Sequence, residues 1–360
     1  MKAAVLHEAR QPMTIEDVGL SKPKRREVLV RTVRAGICHS DLHFQEGLYP
    51  YPLPTVLGHE AAGIVEQVGE DVTYVQPGDH VVGCLSVFCG ECEQCLTGHP
   101  NLCLNTEVKL APGAARRLTF RNEVLHQFMN LSAFAEQMVV HEHALVKIRP
   151  DMPLDRAALI GCGVITGVGA VFNTARMPPG SAVAVIGCGG IGLSCVNGAA
   201  MAGAARIIAI DRLPEKLETA KKLGATDVIQ AGNTDVVAEV LEMTGGGVPY
   251  SFECLGLKET AEQSFRMLAF GGTATLIGMV PFGQKIELHA ADLLRERRIQ
   301  GCSMGSNRFR VDMPRLVEFY MQGRLHLDHL ISGEMPLERI NEGFDALRGG
   351  HVLRNLLTFA

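Results

Sequence analysis

The sequence predicts an α/β protein in which a domain built on a parallel sheet is inserted into a β-rich domain formed by both ends of the chain. Two observations carry this. From about residue 164, apolar strand-like runs alternate with helix-like stretches, the pattern of βαβ units and hence of a parallel sheet. On either side of that stretch the segments are short, β-rich and punctuated by Gly and Pro. A chain of 360 residues has room for two domains of about 150 residues each.

In chain order, residues 28–33, 61–68 and 80–83 read as strands, with Pro52, Pro54 and Pro77-Gly78 marking turns. The strand runs of the inserted domain are 182–186, 207–210, 227–229, 250–254 and 273–277. After about residue 300 the pattern mixes again, with a helix around 314–322 and a closing strand in 352–359. The boundaries this implies are 1–163, 164–303 and 304–360.

Composition excludes several classes of function. The chain is 47% hydrophobic and 20% charged with a net charge of −5, ordinary for a soluble globular protein. Its densest basic stretch, 22–26, contains Pro23 and reads as a solvated turn, so neither nucleic acid nor a membrane surface is expected as a partner. The first residues carry Glu8 and no apolar core of a signal peptide, and no apolar run reaches bilayer length. Unpaired thiols with metal-ligand spacing fit a reducing cytoplasm.

Four of the eleven cysteines lie in a lobe spanning 84–110, as Cys89, Cys92, Cys95 and Cys103. The spacing C-x2-C-x2-C-x7-C brings four thiolates together on tight turns, the donor set of a structural zinc. Cysteines three positions apart are poorly placed to pair as disulfides. Four sulfurs close the coordination shell, so this zinc stabilises structure and leaves no room for a substrate. A nucleic-acid-binding zinc module is disfavoured, because no Lys or Arg occurs between Gly83 and Val108.

The run 182–186 leads into Gly187-Cys188-Gly189-Gly190-Ile191-Gly192 and then a small-residue helix, with Asp211 ending the next strand. Glycines there allow a tight turn and close backbone approach, and the helix N-terminus faces a pyrophosphate. Asp211 would accept hydrogen bonds from the adenosine ribose and repel a 2′-phosphate, which favours NAD, although Arg212 beside it weakens that exclusion.

Three further ligand types occur in loops flanking the domain boundary: Cys38 in Gly36-Ile-Cys38-His39-Ser40-Asp41-Leu-His43, His59 in Gly58-His59-Glu60, and Cys162 in Gly161-Cys162-Gly163. Jointly, Cys2His is a catalytic zinc set with one position open; spacing alone does not show that they converge. With these motifs in this order along the full length, the chain resembles the zinc-dependent alcohol dehydrogenases of the medium-chain dehydrogenase/reductase superfamily. The resemblance implies a Rossmann doubly wound parallel sheet inserted in a β-rich GroES-like catalytic domain, and two zinc ions per subunit. It places Cys38, His59 and Cys162 on the catalytic zinc, Glu60 beside it as an occasional ligand, and Asp41 behind His59.

By the same resemblance, zinc acts as a Lewis acid on the alcohol oxygen, hydride passes to C4 of the nicotinamide, and the proton leaves through Ser40, a ribose hydroxyl and His43. His39 and Arg354 would meet the pyrophosphate, Thr166 would pack by the nicotinamide, Lys216 would reach the ribose, and Leu255 and Met279 would line the cofactor cleft. Tyr49, Leu85, Leu102, Phe128 and Met129 fall at substrate-channel positions, implying hydrophobic primary alcohols or aldehydes. The long segment between Cys103 and Phe134 resembles the liver-type and formaldehyde-type branches and implies a homodimer joined through the cofactor domains' sheets. The alternatives are a glutathione-dependent formaldehyde dehydrogenase, with Arg116 or Arg117 as the anion site, and a non-catalytic zinc-binding member of the fold. Gly47 and Tyr49, and Leu104 to Glu107, stand where the glutathione-dependent branch has acidic residues and an arginine.

Overall fold

The computed structural model describes residues 1–110, 117–121, 123–232 and 234–359. The chain forms two compact units, one made of Met1–Cys162, Arg308–Gln322 and Leu330–Ala360, the other of Gly163–Asn307 and Gly323–His329.

The first unit is β-rich. Its larger sheet runs, in spatial order, Leu145–Lys147, His80–Gly83, Glu60–Val68, Glu27–Gly36, Asn355–Thr358 and Gly333–Pro336, with Gln137–His141 also paired to Glu27–Gly36. Alternating Val, Leu and Ala in these strands point one face into a core that includes Val28, Val30, Val65, Val81, Met138 and Leu357. Register matters at one end: Gly36 pairs with Glu60. A Cβ at Gly36 would fall on the Glu60 carboxylate, so a glycine there is what lets the strand pass this acidic side chain. A smaller sheet joins Lys2–Leu6 and Thr14–Asp17 to the hairpin Leu118–Phe120 and Glu123–Gln127. That hairpin had no counterpart in the sequence expectation.

The second unit is a six-stranded parallel sheet in the order Asp227–Gln230, Arg206–Asp211, Ala182–Ile186, Val248–Glu253, Leu268–Leu276 and Arg298–Gly301. This is doubly wound order, in which the chain starts in the middle and builds to both edges. Ala184, Ile186, Ile208, Ile210, Val240 and Val248 form part of its core.

Two expectations are corrected. Ser40 and His43 lie not in a loop but on the helix His39–Gln45, with Cys38 at its N-cap. Cys162 likewise sits inside a π-helical turn, Ile160–Val164, not in a loop. That turn belongs to a continuous helical stretch, Leu154–Thr174, of 21 residues with mean hydropathy 1.6 over its most apolar window. It is therefore long and apolar enough to span a bilayer, contrary to the sequence reading that no apolar run reaches that length. In the fold 83% of that window is buried, as in a core helix.

Candidate active site

The four lobe sulfurs converge. Sγ separations are 3.5 Å for Cys92–Cys95, 3.7 Å for Cys89–Cys103, 3.8 Å for Cys92–Cys103 and 3.9 Å for Cys89–Cys95. Four thiolates around a tetrahedral zinc at its usual Zn–S length stand about 3.8 Å apart, so the cluster fits that ion. Glycines with φ of +90° and +87°, Gly90 and Gly98, turn the chain between the ligands. Backbone amides of Glu91 and Cys92 donate to the Cys89 sulfur. Burial raises the Cys89 thiol, but these amides together with hydrogen bonds from the Cys92 and Cys103 sulfurs bring the group down to about 6.

The second cluster is assembled from distant segments. Donor atoms of Cys38, His59, Glu60 and Cys162 all lie within 4.8 Å of one another, and all four residues are buried. Asp41 organises it. One carboxylate oxygen accepts from the Gly58 amide at 3.1 Å and contacts His59 Nδ1 at 2.9 Å; the other accepts from the Cys38 amide at 3.1 Å. A carboxylate can only accept, so Nδ1 carries a proton and His59 Nε2 is the nitrogen turned into the cluster, 3.2 Å from Cys162 Sγ.

The electrostatics call for a cation. The Cys38 thiol is drawn well below its ordinary range by its hydrogen bond with Cys162, with Arg354 and His59 adding to the effect. Cys162 moves well above its own range for the same reason, since two neighbouring buried sulfurs cannot both be ionised without a positive ion between them. Burial pushes Glu60 up to about 8 against the opposing charge of Arg354. Two thiols and an imidazole fit zinc with one position open, and the Glu60 carboxylate stands beside that set.

Other predicted residues are placed as follows. Ser40 Oγ is 3.7 Å from Cys38 Sγ. His43 stacks on Tyr49, ring centroids 6.3 Å apart at 11°, and its buried Nδ1 has no hydrogen-bond partner among the described residues. His39 opens the same helix, exposed. Arg354 is buried, its Nε 3.1 Å from Glu60 and its Nη1 donating to the Ile37 carbonyl at 2.9 Å. Phe128 is fully buried with its ring 6.1 Å from that of His59, and Met129 follows it. Leu85 packs against the main core, whereas Leu102 is 44% exposed on the lobe.

In the second unit, Gly187 takes φ +92°, and a Cβ there would strike the Leu255 side chain. A Cβ on Gly192 would fall on the Gly187 carbonyl, so both glycines are demanded by space. Gly189 caps the helix Gly190–Met201, whose first turn holds Ile191. The Asp211 carboxylate is aimed by two amides, Cys188 N at 2.7 Å and Leu213 N at 3.0 Å. Lys216 lies in the helix Pro214–Lys222. Thr166 is buried with its hydroxyl on Met304, and the Met279 backbone abuts Gly256.

One residue here was missed by sequence reasoning. Glu253, fully buried at the end of its strand, accepts from the amides of Leu255 and Gly256 and from Thr260 Oγ1, at 2.8 to 2.9 Å. It fixes the loop that carries Leu255 onto the glycine turn. A single glutamate closing a strand gives no sequence signal.

Two family profiles match this arrangement: an alcohol dehydrogenase GroES-like domain over residues 24–151 and a zinc-binding dehydrogenase domain over 190–320. An alcohol dehydrogenase zinc-binding domain protein from Burkholderia ambifaria is 38% identical, with TM-score 0.94 over 100% of this chain and 98% of its own. The chain belongs to the zinc-dependent alcohol dehydrogenases of the medium-chain dehydrogenase/reductase superfamily. Benzyl alcohol dehydrogenase from Acinetobacter calcoaceticus is 34% identical, with TM-score 0.94 over 100% of this chain and 99% of its own. A putative zinc-binding dehydrogenase from Sinorhizobium meliloti 1021, bound to NADP, is 28% identical, with TM-score 0.83 over 99% and 98%. The protein is thus an oxidoreductase of this zinc-dependent family, with the expected GroES-like and Rossmann-type folds.

Proposed function

We propose that this alcohol dehydrogenase carries two zinc ions per subunit and reversibly oxidises hydrophobic primary alcohols, aromatic or aliphatic, to aldehydes with NAD. The observation that carries the substrate reading is the apolar surround of the buried donor set, where fully buried Phe128 packs edge-on to the ligand His59 and half-buried Tyr49 stacks on His43. The similarity to a benzyl alcohol dehydrogenase supports the same reading.

Zinc held by Cys38, His59 and Cys162 would polarise the alcohol oxygen and ease loss of its proton. The chain's residues do the rest. Asp41 fixes the His59 tautomer and ring. Arg354 holds the Glu60 carboxylate in place and offsets its charge in a buried setting. Ser40 takes up the alcohol proton and His43 passes it outward; burial lowers His43 below its usual range, so the imidazole is neutral and able to accept at pH 7.

For the cofactor, the orientation of Asp211 by two amides supports NAD, because a fixed carboxylate accepts the ribose hydroxyls and repels a 2′-phosphate. The glutathione-dependent alternative is disfavoured at Arg117, which is buried against Glu27 at 2.7 Å and Gln127 at 2.9 Å. Arg116 lies outside the described residues. A homodimer through the cofactor unit's sheet is supported by the edge strand Arg298–Gly301 and by exposed Phe282 and Leu294 nearby. Cytoplasmic residence is supported by free thiols throughout the eleven cysteines.

The test is initial-rate measurement with NAD and with NADP across ethanol, hexanol, benzyl alcohol, cinnamyl alcohol, and formaldehyde plus glutathione. Preferred turnover of the bulky apolar alcohols with NAD is the expected outcome. Preference for the glutathione adduct, for NADP, or for ethanol over the larger alcohols overturns the corresponding part.

A further inference from the structure

Residues 128–132 form an unusual turn. Met129 adopts φ 47° and ψ 35°, and Asn130 and Ser132 have φ of 63° and 61°. Three non-glycine residues in the left-handed region within five positions store strain that the surroundings must hold. Ser132 does part of this: its hydroxyl accepts from the Phe128 amide at 2.8 Å and donates to the Val56 carbonyl at 2.7 Å. The Asn130 side chain accepts from the Leu110 amide at 3.0 Å.

Met129 itself is held from outside the turn. Tyr51 Oη accepts from the Met129 amide at 3.3 Å and donates to the Gln127 carbonyl at 2.9 Å, so one hydroxyl bridges the two residues that flank Phe128. The Tyr51 ring also meets Phe128 edge-on, centroids 5.0 Å apart at 68°. Phe44, on the helix that carries Ser40 and His43, closes the cluster at 4.9 Å from Phe128 and 5.6 Å from Tyr51, both edge-to-face. Phe128 in turn faces His59.

We propose that Tyr51 is a positioning residue for substrate selection: its hydroxyl pins the strained turn, and so holds the buried Phe128 ring against the ligand His59 and fixes half-buried Met129 as a rigid apolar wall. The inference rests on the reading of Met129 as substrate-facing, and it adds a residue that never touches the substrate. A rigid wall discriminates between alcohols because a bulky apolar group gains packing only against surfaces already in place. Left-handed Met129 would otherwise relax toward ordinary backbone angles and carry the Phe128 ring away from His59.

Tyr51→Phe keeps the ring and removes only the bridge. The zinc-loaded variant should show a ratio of benzyl alcohol to ethanol kcat/KM reduced roughly fivefold, about the factor that one neutral hydrogen bond represents. The loss should sit in KM for benzyl alcohol rather than in kcat, since the wall contacts ground and transition states alike. Amide hydrogen exchange in 128–132 should quicken about tenfold, as local opening loses a similar increment. An unchanged ratio, or an equal fall in kcat for both alcohols, overturns the proposal. If the wild type oxidises none of the alcohols, the substrate reading has failed and exchange alone decides. Faster exchange confined to 128–132 then upholds the pin, and unchanged exchange sinks it.

Discussion

The two metal-ligand clusters are built in opposite ways. In the lobe, the outermost ligands are 14 positions apart in sequence, and three of the four cysteines remain partly exposed. In the second cluster, His59 and Cys162 alone are 103 positions apart, and every ligand is buried. The lobe brings its sulfurs together with its own turns and amides, needing little from the rest of the fold. The second cluster exists only because a strand end, a helix N-cap and a π-helical turn meet, and because Asp41 ties the first two together. A local cluster serves as a staple. A cluster assembled from afar can leave one face open and be surrounded by chosen side chains, which chemistry requires.

Substitution of one ligand in each cluster breaks this comparison most sharply. Cys162→Ser should lose one zinc per chain by elemental analysis and lower kcat/KM at least about a thousandfold, the scale of lost Lewis-acid stabilisation. The lobe zinc should remain. Cys95→Ser should do the converse: the lobe empties and stability falls on the order of 4 kcal/mol, as for loss of a structural metal, while the surviving folded fraction keeps its turnover. If Cys162→Ser empties both clusters, or Cys95→Ser abolishes turnover in protein that is still folded, the division into staple and reaction site is wrong.

Asp41→Asn sharpens the same contrast, because the lobe has no equivalent of Asp41. The single amide oxygen can serve Gly58 and His59 or else Cys38, but not both sides, and it holds the His59 ring without a full charge. Zinc affinity or activity should fall about 10- to 100-fold, read by competition with a chelator. The lobe zinc should exchange at the wild-type rate. Equal weakening of both zincs would mean that Asp41 acts on the whole unit rather than on His59.

The contrast also explains what was legible in sequence. The lobe could be recognised from spacing alone, since its ligands are local. The glycine turn could be recognised because strand, glycines, helix and Asp211 follow one another in fixed order. The pairing of Cys38, His59 and Cys162 came only from resemblance; nothing in their separate neighbourhoods encodes that they meet. Glu253 and Tyr51 were invisible for the same reason in stronger form, each acting through partners that the fold supplies. The hairpin Leu118–Phe120 and Glu123–Gln127 was lost because its strands are short and partly polar. Gly161-Cys162-Gly163 reads as a loop in sequence because the weak helix propensity of glycine is overridden by packing in the helix Leu154–Thr174. The carbonyl of Gly83 lies 3.0 Å from where a Cβ on Gly161 would stand, so glycine is there for closeness and not for a turn.

The smallest effect concerns the way out for a proton, which a closed lobe does not need and a buried reaction site does. His43 is partly buried on the helix that begins beside Cys38, and burial holds its imidazole below the usual 6.5 against the smaller opposing effects of Cys38 and Glu46. The neutral ring is the form that accepts a proton, so it is fully available at pH 7 and is lost only as pH falls through this lowered value. Wild-type alcohol oxidation should therefore hold its rate to below pH 6.5 and then decline. In His43→Gln the rate at pH 7 should drop about tenfold, less than full general-base catalysis is worth, because water can reach a partly exposed position. The decline on the acid side should also flatten. Were the same acid limb to persist in His43→Gln, the titrating group would lie elsewhere, and the path from Ser40 outward would have to be redrawn.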